Sequence, residues 1–332
     1  MPKTKYIFSM GELKRKDNSI AFKNEKGWFY LPIEGVREIY FFNEISFNSK
    51  FLDFIAKAGI TLHFFNYYGY YSGSFYPKDY LISGNLTIKQ SMAYIEKRLQ
   101  IAKAIVETVA ENIYEILYHY YRHGKKELKI YLDWLRTDVK NMLKKDLHIK
   151  QILFIEGQIW NRFYDSFKHF LQEDFLLNKR VKRPPDNPIN ALISFGNTIL
   201  YTKTITALYH THLNQSISYL HEPREARFSL SLDISEAFKP IIVFKTIFEL
   251  VNRKKIQIHK HFDKKLNFAL LNETGKKIFI QALEERLNEK FHHKKLKRKI
   301  SYQNTIKIDG YKLIKFLLEN KEFKPFSLKE KS

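Results

Sequence analysis

The chain has 332 residues, with 57 Lys and Arg against 35 Asp and Glu, a formal charge of +22 at neutral pH. That excess points to a polyanionic partner, while 44% hydrophobic residues, including 28 Phe and 21 Tyr, exclude a mainly disordered basic tail. The lack of Cys excludes disulfides, thiolate metal sites and a Cys nucleophile, and charge interrupts every apolar run, so a soluble, cytoplasmic chain with no membrane partner is expected.

From Tyr6 to Tyr76 the pattern is short and two-periodic. YIFS, ELKRK, SIAFK, WFYLP and EIYFF alternate with turn residues such as Lys26-Gly27 and Glu34-Gly35, which predicts a small β-sandwich. SKFLDFIAKA, from Ser49 to Ala58, changes to helical spacing, and a strand returns at Thr61 to Phe65. The aromatic stretch from Phe64 to Pro77 has two readings, a base-stacking surface or cross-strand aromatic pairs at an interface.

After Gly84 the period changes. Ile88, Met92, Ile95, Leu99, Ala102, Val106, Val109, Ile113, Ile116 and Tyr120 alternate steps of four and three, the seam of one long amphipathic helix. Further helical patterns follow near 127–145, 152–171, 188–212, 235–252, 274–291 and 309–320. The fold class is therefore α+β: a small N-terminal β-sandwich domain, residues 1–84, then a larger all-α domain, residues 85–332.

In LFIEGQIWNRFY, Glu156 shares a helix face with Ile152, Ile159, Trp160 and Phe163, so its carboxylate needs a partner. A buried Arg would suffice. The loop KRVKRPPDNP carries Lys179, Arg180, Lys182 and Arg183, either as a phosphate clamp for DNA or as a solvated linker. Farther on, SYLHEPREARFSLSLDISEAFKP brings His221, Arg224, Arg227, Asp233 and Glu236 together. If Asp233 begins a helix, it and Glu236 project from one edge of its first turn, as a metal-binding pair or as a capping box. Oxygen ligands with one imidazole suit Mg²⁺ or Mn²⁺, and Arg224 and Arg227 could neutralise phosphate nearby or form surface ion pairs. Residues 253–332 hold 22 basic and 9 acidic side chains. The densest run, Lys290 to Lys299, reads as a nucleic-acid-binding arm or a solvated helix face.

These segments resemble the CRISPR-associated adaptation integrase/endonuclease family, "Cas one", most closely its type I-B variety. The likeness spans nearly the whole chain and rests on YIFSMGELKRKDNSIAF, HFFNYYGYYSGSFYP, FIEGQIWNRFY, KRPPDNPINALISFGNTIL and SYLHEPREARFSLSLDISEAFKP. The resemblance implies that Glu156, His221 and Glu236 are metal ligands, that Asp233 is needed for activity, and that Arg224 lies close to reacting DNA. Asn190 matches a polar position near the site without an assigned role. It further implies a homodimer formed through the β-rich domain and a small dimeric "Cas two" partner. The substrates implied are a duplex with 3′ overhangs and CRISPR repeat DNA, joined by attack of a 3′-hydroxyl on a phosphodiester. Gln158-Ile159-Trp160, where the family commonly has small residues, and Leu213-Asn214-Gln215, in place of a Gly-Leu-Asp-like turn, depart from the pattern. A general or branched-DNA nuclease and a non-catalytic DNA-binding protein are the alternatives.

Overall fold

A computed structural model describes residues 3–331 except 67, 78–82, 183, 224–227 and 266–267. The chain divides into two compact units, Met1–Tyr80 and Leu81–Ser332.

The first unit contains β1 (Lys3–Ile7), β2 (Gly11–Lys16), β3 (Ser19–Asn24), β4 (Gly27–Pro32), β5 (Val36–Phe41), β6 (Ile45–Phe47), α1 (Ser49–Lys57), β7 (Thr61–Phe65) and β8 (Tyr71–Phe75). Two four-stranded sheets, ordered β1-β5-β7-β8 and β4-β3-β2-β6, bury one shared core. Alternation decides which residues enter it: Ile39 and Phe41 of β5 and Leu62 of β7 meet Leu13 and Ile20 of the other sheet. The helix α1 starts where the Asn48 side chain accepts the Phe51 N–H at 3.0 Å, and it adds Phe51, Phe54 and Ile55 to the core. The aromatic stretch after Phe64 falls in the β7–β8 hairpin, apart from Tyr67, which lies outside the described residues.

The second unit is mainly helical: α2 (Gly84–Glu96), α3 (Arg98–Arg122), α4 (Lys129–Arg136), α5 (Asp138–Lys144), α6 (Ile149–Asp165), α7 (Pro188–Tyr209), α8 (Ser229–Phe238), α9 (Lys245–Asn252), α10 (Ile258–His261), α11 (Glu273–Asn288) and α12 (Tyr302–Glu319). Two short hairpins interrupt the helices, β9 (Phe262–Lys265) with β10 (Phe268–Leu271), and β11 (Lys290–His293) with β12 (Arg298–Ser301). The basic run at 290–299 is thus neither an arm nor a helix face. Buried Phe291 and His293 alternate with exposed Lys290 and His292, which fixes the strand to the core and leaves the cations outside.

The long seam is also two helices. At Lys97 the backbone leaves the helical region, and the burial pattern changes across the break. On α2 the buried face is Leu86, Gln90 and Ala93, while Ile88, Met92 and Ile95 are exposed. The seam holds from Ala102 onward, through Val106, Val109, Ile113 and Ile116.

Helix α7 is apolar around most of its circumference and lies in the centre of this unit, packed by α8 and α12. Gly196 permits close approach there, since a Cβ would stand 2.6 Å from Val243 and 2.9 Å from Phe279. After α8, Pro240 lacks the N–H that a regular helix would send to the Glu236 carbonyl, and the rod widens into a π-helical segment, Lys239–Phe244. Asn112 of α3 braces this widening. Its amide donates to Ala237 O at 2.9 Å and Phe326 O at 3.0 Å, and its oxygen accepts the Leu328 N–H at 2.8 Å.

Because Asn112 is fully buried and two of the three bonds are buried with it, Asn112→Ala should lower stability by about 2–4 kcal/mol. Urea denaturation checks this, with exposed Asn141→Ala expected to stay within about 0.5 kcal/mol of the parent.

Candidate active site

Nine of the ten residues of α8 are buried, including two carboxylates. Asp233 is not a helix cap: the helix begins at Ser229 and Asp233 lies inside it. Its oxygens face the 219–221 backbone instead. Oδ2 accepts the N–H groups of Tyr219 at 2.6 Å and Leu220 at 2.9 Å, while Oδ1 accepts the His221 N–H at 3.0 Å. The same Oδ1 pairs with His221 Nδ1 at 2.8 Å. A fully buried carboxylate is satisfied in this way, and the imidazole is oriented with Nε2 toward Glu236 Oε1, 4.0 Å away. Burial pulls the His221 imidazole down, but the Asp233 hydrogen bond and the Glu236 charge carry it above its usual value.

The 214–222 segment is held from the opposite side by α2 and α3. Gln90 exchanges two hydrogen bonds with the Asn214 backbone at 2.8 and 3.0 Å. Arg98 donates to Tyr219 O at 2.9 Å and to Glu222 at 2.7 Å. The imidazole is therefore fixed through its main chain as well as through its ring.

Glu236 lies one turn beyond Asp233, with one oxygen bonded to the Lys239 ammonium and the other, Oε2, buried without a partner among the described residues. Glu156 reaches the same locus from α6. Burial, then repulsion from Glu236, raises its carboxyl to about 7, opposed by Lys239 and His221. Trp160, one turn along α6, donates its indole N–H to Glu156 and packs on Phe244 of the π-helical segment at 5.5 Å. The Lys239 ammonium stands 5.8 Å from the Trp160 ring centroid. Glu156, Glu236, His221 and Lys239 thus form one electrostatic cluster.

A hard divalent cation suits its donor chemistry: two carboxylates, one imidazole nitrogen and an orphaned buried oxygen on Glu236. Among the described residues, no three His, Asp or Glu side chains are gathered closely enough to hold an ion as they stand. The Lys239 ammonium on Glu236 supplies positive charge at that position.

The basic loop before α7 divides by residue. Lys179 and Lys182 are exposed. Arg180 is turned inward, donating to Asn190 Oδ1 and Ser194 Oγ, both at 2.9 Å, and to the Tyr164 phenol. It is thereby engaged within the fold rather than presented as a surface clamp. Asn190 completes the link, with its amide donating to Lys179 O at 2.8 Å and Asp186 Oδ1 at 2.7 Å. Because the Glu156 and Glu236 charges act on Tyr164, the chain Asn190–Arg180–Tyr164 ties this loop to the acidic cluster. Arg183, Arg224 and Arg227 lie outside the described residues.

Sequence reasoning missed Lys239, Gln90, Arg98 and Tyr164. Lys239 carried a signal, a cation one helical turn after a carboxylate expected to be buried. Gln90 and Arg98 carried none, because they meet the 214–222 segment only through the tertiary fold.

Glu156 gives a pH prediction for the protein kept free of metal by a chelator. Its folded pKa of about 7 lies above the unfolded value near 4.5, so native stability is lost as pH rises through that window. Glu156→Gln removes the effect: the variant should gain up to about 3 kcal/mol on the parent between pH 5 and 8. Chemical denaturation at both pH values checks it, and a gap independent of pH would count against the burial of this charge.

The family model for CRISPR associated protein Cas1 matches residues 5–285. A relative described as CRISPR-associated endonuclease Cas1 2, from Thermodesulfovibrio yellowstonii, is 44% identical over 331 residues, covering 98% of this chain and 99% of its own. A solved CAS1 protein from Thermotoga maritima superposes with a TM-score of 0.86 at 38% identity, covering 97% of this chain and 99% of its own. The same fold recurs in a casposase bound to integration product, with a TM-score of 0.84 at 18% identity, covering 99% and 94% of the two chains. With the family model and a full-length relative in agreement, the chain belongs to the Cas1 family.

Proposed function

We propose that the chain is a metal-dependent DNA endonuclease and integrase that inserts short DNA fragments as new spacers into a CRISPR repeat array. The observation that carries this reading is the convergence of Glu156 and Glu236 beside the Nε2 edge of His221, whose other nitrogen is held by Asp233. The names of the endonuclease relative and of the casposase integration complex favour the same chemistry.

In this reading Glu156, Glu236 and His221 hold Mg²⁺ or Mn²⁺. The bound ion supplies charge stabilisation at a phosphodiester and a lowered pKa for the attacking hydroxyl. The residues of the chain do the rest. Asp233 accepts Nδ1–H, which leaves the Nε2 lone pair directed at the acidic cluster, a positioning role rather than a ligand role. Trp160 directs the Glu156 carboxylate, and Lys239 offsets the charge of Glu236 in the metal-free protein. The formal charge of +22 favours DNA, and exposed Lys179 and Lys182 flank the loop tied to the site.

The wider reading has residues 1–84 as a dimerisation domain and 85–332 as the catalytic domain, working with a small dimeric Cas2 protein. The substrates are a duplex with 3′ overhangs and the repeat DNA into which its 3′-hydroxyls are joined.

Strand transfer of a labelled 3′-overhang duplex into supercoiled repeat DNA, with Mn²⁺ and the small partner added, tests the assignment. Joined products are expected from the parent and not from His221→Ala. Asp233→Asn should retain the ligands yet reduce metal affinity or activity about 10–100-fold. Cleavage without joining would favour a general or branched-DNA nuclease, and DNA binding without either product would favour a non-catalytic role.

A further inference from the structure

A cavity of about 380 Å³ opens between α3, α9 and α11, and none of the residues of the acidic cluster line it. Its walls include His119 and Tyr120 of α3, Lys245, Phe248 and Asn252 of α9, and Arg286 of α11. The feature that distinguishes it is Lys245. Among the described residues this half-buried side chain makes no hydrogen bond and no ion pair.

The carboxylates nearest to it are already committed. Glu249 accepts Arg253 at 2.8 Å on one oxygen and Arg286 at 2.9 Å on the other. Glu289 accepts Arg286 at 2.8 Å and Lys331 at 3.0 Å. Glu115, the remaining acidic residue of the lining, stands on the wall shared with an adjoining groove. Arg286 is consequently rigid, with both terminal nitrogens bonded and Nε buried. It presents fixed positive charge to an ammonium whose nearby carboxylates, Glu289 and Glu249, are hydrogen-bonded to other cations. Burial, then the Arg286 and Lys331 charges, lower the Lys245 ammonium to about 8, opposed by Glu289 and Glu249, so an added anion in the cavity would favour its charged form.

We propose that this cavity is a phosphate-binding site in which the Lys245 ammonium meets a phosphoryl group and Arg286, braced by Glu249 and Glu289, supplies supporting charge. His119 faces the same space, and burial, then the His123 and Lys245 charges, hold its imidazole below its usual value. The phosphoryl group can belong to a nucleic acid or to a small free ligand, and the two sources are separable. The site does not depend on the metal assignment. It lies farther along the rod that carries Glu236, beyond the π-helical segment.

The full chain is treated at pH 8 with an amine-acylating reagent, and modification is read residue by residue by mass spectrometry. Chloride, orthophosphate and a phosphate-bearing duplex are compared at equal ionic strength. The proposal expects Lys245 to react readily in chloride and to be protected severalfold by orthophosphate, while exposed Lys57 is unaffected. Protection by the duplex as well would assign the group to nucleic acid, and protection by orthophosphate alone would assign it to a small ligand. A thermal-shift comparison with Lys245→Met is the second readout: orthophosphate should raise the melting temperature of the parent and not of the variant. Unprotected Lys245, or equal shifts in both proteins, would overturn the site.

Discussion

Helix α8 buries two carboxylates one turn apart, and the surrounding structure is arranged around that cost. An ionised carboxylate removed from water loses several kcal/mol of hydration unless donors or cations replace it. The two residues are compensated differently. Asp233 receives three backbone N–H groups and an imidazole, so it is complete within the fold. Among the described residues, Glu236 receives Lys239 and, at 4.0 Å, His221, and its second oxygen is unpartnered. Glu156, raised to about 7, adds a third acidic group beside it. One carboxylate therefore builds the site, and two are left for a ligand.

That division depends on features remote in sequence. Pro240 ends the regular helix and brings in the π-helical segment, which places Phe244 against Trp160 and Lys239 beside Glu236. Asn112 of α3 braces the same turn from outside. Gln90 and Arg98 hold the 214–222 segment so that His221 meets Asp233. The network Asn190–Arg180–Tyr164 then couples the loop before α7 to the acidic cluster. Rigidity on all sides is what a site needs if charges that repel one another are to stay together.

Much of the architecture could be read directly from the chain because it depends on local pattern. Two-residue alternation marked the strands of the first unit, and the Glu156 face was visible as Ile152, Ile159, Trp160 and Phe163, all buried in the structure. What escaped was set by tertiary geometry. The seam from Ile88 to Leu99 continued in register on paper, yet the break at Lys97 turned those side chains to solvent. Arg180 looked like its basic neighbours until the fold provided Asn190, Ser194 and Tyr164 as partners. Likewise the charge density of 290–299 concealed a hairpin, because only Phe291 and His293 alternate inward. The spacing of Asp233 and Glu236 suggested two equivalent carboxylates, and only the path of residues 219–221 separates their roles.

The central claim is that Glu156, Glu236 and His221 form a single cation site that is incomplete without its ion. Titration of Mn²⁺ into the full chain by calorimetry addresses it most directly, with Glu156→Gln and His221→Ala compared under identical conditions. The account predicts saturable binding to one such site per chain in the parent, and its loss in both variants while their folded spectra are retained. Undiminished Mn²⁺ binding in either variant, or none in the parent, would contradict it.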